Sequence, residues 1–225
     1  MPTLLGILVR PVSALRGLRD RPRWLFPFCV LAALQVCLVV AAQQQTIDSV
    51  LSHLPGSATA ADREVVRGML SEGLVVGLLF QPIRLLIGWS AFAGTLFALV
   101  RSLKLPDPAS YLRLLALEVH AESILILAGA AALICGTLCG PPSGAPPLSA
   151  ALFFTPGTSF PLFSLLRSLN IFTLWYVAVL AAGIRVLCGL TLRNAVLVAA
   201  SAWALSVLFD IGILTLLIST LHLQV

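Results

Sequence analysis

The sequence predicts an all-α, polytopic helical membrane protein with about five transmembrane helices, and three observations carry that prediction. First, 59% of the 225 residues are hydrophobic and only 10% are charged, too few polar groups to cover a water-facing surface. Second, apolar runs near the length needed to cross a hydrocarbon layer ~30 Å thick recur along the chain. They fall at about 24–42, 73–100, 111–138, 169–190 and 195–219. Third, basic residues are distributed unevenly between the connections. With five spans, Arg10, Arg16, Arg19, Arg21, Arg23, Arg101, Lys104, Arg113, Arg185 and Arg193 share one side, and the other receives Arg63, Arg67 and Arg167. An even number of spans spoils this bias, so the N-terminus is expected in the cytoplasm and the C-terminus outside.

Residues 1–23 form the first unit. Leu4, Leu5, Ile7, Leu8, Leu15 and Leu18 alternate with Arg10, Arg16 and Arg19, the pattern of an interfacial amphipathic helix broken by Pro11. A cleaved signal peptide does not fit, because the basic residues follow the first apolar cluster and no small-residue cleavage pattern comes after them. The second unit, 24–220, is the five-span membrane domain. Its first span opens on Trp24 and Phe26 with Pro27 in the first turn, an aromatic membrane edge. From Thr46 to Glu72 the chain turns polar and acidic, and short amphipathic helices around Pro55-Gly56-Ser57 are expected there.

The second span contains Gln81, Pro82 and Arg84, which predicts a kink. The third, opened by Tyr111 and Arg113, contains Glu118, His120 and Glu122. Between Gly140 and Phe163 lie six prolines and no charge. So apolar a loop is expected on the membrane surface or folded back over the bundle. Spans four and five make a hairpin around Thr191–Asn194, and the shortness of that turn requires antiparallel neighbours.

The hairpin carries Asn170-Ile171-Phe172-Thr173-Leu174-Trp175, then Ala182-Gly183-Ile184-Arg185, with Ala195 and Trp203 on the return helix. Near the N-terminus, Arg10-Pro11 leads through Leu15 to Arg21-Pro22-Arg23-Trp24-Leu25-Phe26-Pro27. In order and spacing these two stretches resemble the Yip1-domain family of membrane proteins. The resemblance brackets nearly the whole chain and implies the same five-span, N-in topology. Eukaryotic relatives are linked to Golgi trafficking and Rab-type GTPases and assemble with related membrane proteins. This chain departs from them in having only about 23 residues before the first span and no Asp-Leu-Tyr-Gly-Pro-like motif, so it is similar to the short prokaryotic members. The resemblance thus implies a prokaryotic inner or plasma membrane and favours a membrane-organising or trafficking-type role acting through partners over the two other open classes, a small transporter or channel and a lipid enzyme.

Ionisable groups inside the spans are the remaining chemistry, since each costs ~2.5–3.5 kcal/mol at a bilayer centre unless it finds a partner. Counted at ~1.5 Å per residue from Leu103, Pro108 and Asn194, Arg84, Glu122 and Asp210 lie ~28, ~21 and ~24 Å deep. A buried polar layer of Arg84, Glu122 and Asp210, with Glu118 one turn from Glu122, is expected, either as a packing ion pair or as the path of a small transporter or channel. Arg185 is shallow enough to reach the headgroups. No metal is expected, because His120 points about 160–200° away from both glutamates; a helix–helix hydrogen bond suits it better.

The cysteines read as small hydrophobes, including Cys135 and Cys139 at a helical spacing. HExxH, GxSxG, CxxC and phosphate-loop patterns are absent from the sequence, which argues against an enzyme and a cofactor. The expected partners are the bilayer, anionic lipids at Arg16, Arg19, Arg21 and Arg23, and other membrane proteins or further copies of the chain. Nucleic acid is not among them, because the +5 net charge is concentrated before the first span.

Overall fold

A computed structural model describes residues 6–7, 11–52, 59–105, 109–139, 149–153 and 160–220. Its helices are α1 (Pro11–Asp20), α2 (Leu25–Ser52), α3 (Ala60–Ser102), α4 (Tyr111–Cys139), α5 (Phe160–Ser168), α6 (Ile171–Cys188) and α7 (Leu192–Thr220). The described chain is helical apart from turns, one 3-10 turn at Ala150–Phe153 and an isolated bridge between Ser149 and Asn170. Five helices, α2, α3, α4, α6 and α7, are long and apolar enough to cross a membrane. The protein is therefore a helical, multi-pass membrane protein.

One end of the bundle gathers the start of the chain and two inter-helix connections. Ile7, Leu15 and Leu18 share a single cluster with Val100 at the end of α3, Ala109 and Leu114 at the start of α4, Cys188 at the end of α6, Leu190 after it, and Ala195 on α7. Leu15 and Leu18 are fully buried while Arg16 and Arg19 on the same helix are exposed. The apolar face of α1 is thus buried by the bundle itself, and its arginines are left exposed. Arg101, Lys104, Arg113 and Arg193 sit at this same end, called the basic end below. Pro11 opens α1, where a missing N–H costs nothing; residues 8–10, where a break was expected, lie outside the described part.

The expected short helices between the first two spans are replaced by extensions of the spans themselves. The glutamines at 43–45 are good helix formers, and α2 runs through them to Ser52. On the other side, Thr59 starts α3 with a capping box: its hydroxyl accepts the Asp62 N–H at 3.2 Å, and the Asp62 carboxylate accepts the Thr59 N–H at 2.9 Å. Pro55-Gly56-Ser57 lies outside the described residues. Helix α3 has 43 residues, about 65 Å at ~1.5 Å per residue, roughly twice the hydrocarbon thickness. It continues through Pro82 without ending.

Helix α6 sits centrally, packed on α7, α4 and α1. Its start is capped by Asn170, whose side chain accepts the Thr173 N–H at 2.9 Å, and its end by Gly189 in the left-handed region (φ 67°). Because Gly189 stops the helix and Thr191 starts the next, the turn is Gly189–Thr191, a few residues earlier than Thr191–Asn194. The close approach of α6 to α4 depends on Gly183, where a Cβ would run into the Leu117 side chain. From the connection after α4, residues 149–153 fold back so that the Ala150 N–H donates to Leu169 O at 2.8 Å. Ala151 is buried, and α5 packs on this turn and on α7. The described part of the loop thus folds back over the bundle.

Candidate functional site

Two groups of polar side chains stand out in the spans, one inside the bundle and one on its outer surface. The inner group is built on α4. Glu118 is 1% exposed, and the Tyr176 hydroxyl of α6 sits between its two carboxyl oxygens, 2.8 and 2.9 Å away. A buried carboxyl needs such a donor, since leaving a buried polar group unpaired costs ~1–3 kcal/mol. Glu122, one turn along α4 and half-buried, has Glu118 and the Trp89 indole of α3 as its polar neighbours. Phe92 of α3 flanks Tyr176, with ring centroids 6.1 Å apart. The cluster therefore ties α6 to α4 through the phenol and a carboxyl, with Phe92 of α3 packed against the phenol ring.

His120 is buried beside this pair but does not join it. Its Nδ1 contacts the Ala116 carbonyl of its own helix at 2.7 Å, and Ser123 Oγ donates to the His120 carbonyl at 2.7 Å. The expected bond to another helix is replaced by this local one. No group of three or more potential metal ligands occurs among the described residues.

The outer group consists of Arg84 on α3 and Asp210 on α7, both exposed. The expected layer of four buried charges is thus divided: Glu118 and Glu122 are turned toward the bundle, and Arg84 and Asp210 away from it. Rotation about the helix is the reason. Trp89, the α3 neighbour of Glu122, is five residues from Arg84, about 140° around an ideal helix, so Arg84 cannot face Glu122 from the same axis.

Asp210 feels Arg84 as its neighbouring opposite charge, yet the one ion pair within 4.0 Å among the described residues is Arg67–Glu64. Arg84 Nε instead donates to Gln81 Oε1 at 3.0 Å, and Gln81 Nε2 is buried with no hydrogen-bond partner. Arg16, Arg19, Arg21 and Arg23 are exposed near the basic end. Cys29, Cys37 and Cys135 are exposed free thiols and Cys188 is a buried one; the Cys139 side chain lies outside the described part.

Sequence reasoning missed Tyr176 and Trp89, and it placed Gln81 at a kink without a role toward Arg84. A signal existed for the first two: Tyr and Trp inside an apolar span carry one donor each that must find an acceptor. The glutamates of α4 are the available acceptors.

The fold and this cluster define a helical multi-pass membrane protein whose central helix is tied to a neighbour by a buried carboxyl. No family model, curated protein or solved structure matches the chain.

Proposed function

We propose that the chain is a Yip1-like, non-enzymatic protein of a prokaryotic inner or plasma membrane that organises other membrane components by assembling with them. In this reading the basic end is cytoplasmic and the C-terminus is outside. Arg16, Arg19, Arg21 and Arg23 meet anionic headgroups, each contributing about 1 kcal/mol. Support for assembly comes from one observation above all: Arg84 and Asp210 stand exposed on the outside of the bundle within the apolar stretches of α3 and α7. Charges so placed are costly against lipid and favourable against another polypeptide that pairs with them.

The test is a native pull-down in mild detergent with lipids retained. Recovery of a stoichiometric membrane protein, or of a second copy, that is lost on Arg84→Gln supports the reading; no protein partner and an enriched small molecule would overturn it. Topology is tested separately by cysteine labelling on a Cys-free background. Arg63→Cys should label from outside and Lys104→Cys from the cytoplasm; labelling of both from one side contradicts five spans.

A second reading, a small transporter or channel, draws on the proximity of the Glu118 and Glu122 carboxyls, a pair able to hold a proton or a small cation between them. It predicts that Glu118→Gln keeps the fold and abolishes ion flux in proteoliposomes. Flux that is absent in the wild type, or unchanged in the variant, removes it.

A further inference from the structure

The face of α3 and α7 that bears Arg84 and Asp210 has features that reach beyond isolated exposed charges. On α3, Gly73, Gly77, Arg84 and Gly88 fall within about 60° of one another at 100° per residue, forming one narrow stripe. A Cβ added at any of the three glycines meets nothing within 4 Å. The surface around Arg84 is apolar and open, with Ile83 54% and Ile87 64% exposed.

Arg84 is oriented for a partner. Its Nε is held by Gln81, and its two terminal nitrogens have no hydrogen-bond partner among the described residues, so the fork that takes a carboxylate end-on is vacant. Glu122 cannot supply that carboxylate, because its neighbour on α3 is Trp89, about 140° around the helix from the exposed Arg84. Asp210 of the same copy is near enough to interact but is not within ion-pair distance.

Antiparallel helices α3 and α7 place the two charges at matching depth, ~28 and ~24 Å from their basic ends. A face with one cation and one anion at the same level is complementary to itself under a two-fold rotation. We propose that this face is the interface with a second copy of the chain, related by a two-fold axis along the membrane normal. Arg84 of each copy then lies against Asp210 of the other. The glycine stripe lets the two α3 helices approach closely, as small residues do in membrane helix pairs. A second copy is the occupant that carries both charges at the right depth by construction. This inference rests on the proposed assembly function and names its partner.

Two charge reversals test it, because they separate pairing between copies from pairing within one. Wild-type chains bearing donor and acceptor fluorophores, reconstituted in lipid vesicles at high lipid-to-protein ratio, should show energy transfer. Arg84→Asp alone and Asp210→Arg alone should each weaken association about tenfold or more, since like charges then meet across the axis. Mixing the two variants should restore it, because every cross-pair is again opposite in sign. Circular dichroism and thermal melting of each variant establish that its monomer is folded.

No energy transfer in the wild type would overturn the proposal, as would reversals without effect or folded variants that fail to recover on mixing. If the wild type is monomeric but retains a different integral partner through Arg84, this inference falls and the broader assembly reading stands.

Discussion

The basic end and the far end of this bundle are made of the same helices and obey different packing. Toward the basic end, α3 buries Trp89, Ala93, Leu96 and Val100, α4 buries nearly every residue from Leu114 to Ile126, and α7 buries Ala195, Val198, Ala199 and Ala202. Toward the far end, Gln81 is the one buried residue of α3 before Trp89, and no described side chain of α7 after Ala202 is buried. Polar groups divide by rotation and not by end: Glu118 is turned into the bundle and takes the Tyr176 hydroxyl, and Arg84 and Asp210, near the level of Glu122, face outward. In a membrane, where lipid gives helices no hydrophobic reason to associate, polar bonds and small residues decide which segments close on each other. Under the assembly proposed above, the open segment with its charges is the surface that meets another polypeptide.

The comparison can be broken most severely at Gly183. Val at this position should destabilise the fold by about 1–3 kcal/mol, because its side chain overlaps Leu117 in a packed layer. Gly77→Ala, in the open half, should leave the melting temperature of the monomer unchanged or slightly raised, since Ala is the better helix former. Equal losses at both glycines would show that the two ends are packed alike. Next in size is Tyr176→Phe, expected to cost about 1–2 kcal/mol in thermal unfolding by leaving Glu118 without its donor. Glu118→Gln should cost less, since its amide oxygen still accepts the phenol. The smallest effect is local: Thr59→Ala removes the capping box of α3, worth about 1 kcal/mol. It should speed amide exchange in the first turn of α3 with little change in global melting.

The spans were legible in the sequence because hydropathy over ~20 residues is a strong, local signal. Val100, Ala109, Leu190 and Ala195 gather at one end because each flanks a connection on the same side of five alternating helices. The lengths of α2 and α3 were not legible, since a polar stretch outside the apolar core reads equally as loop or as solvated helix until the caps are seen. Thr59 and Asp62 were the missed signal.

Depth placed Arg84, Glu122 and Asp210 near one level, but depth is one coordinate of two. The rotation that turns Arg84 away from Trp89 and Glu122 could have been read from their spacing; the identity of the neighbouring helix could not. For the same reason His120 was expected to cross to another helix, when a carbonyl one turn back on its own helix lay closer.

If the polar groups turned into the bundle hold the monomer together and those on its outer face add little, the unfolding free energy, in nanodiscs loaded with one copy each, separates Tyr176→Phe from Arg84→Gln. The predicted result is a loss of about 1–2 kcal/mol for Tyr176→Phe and a change within about 0.5 kcal/mol for Arg84→Gln. A loss for Arg84→Gln as large as that for Tyr176→Phe would contradict it.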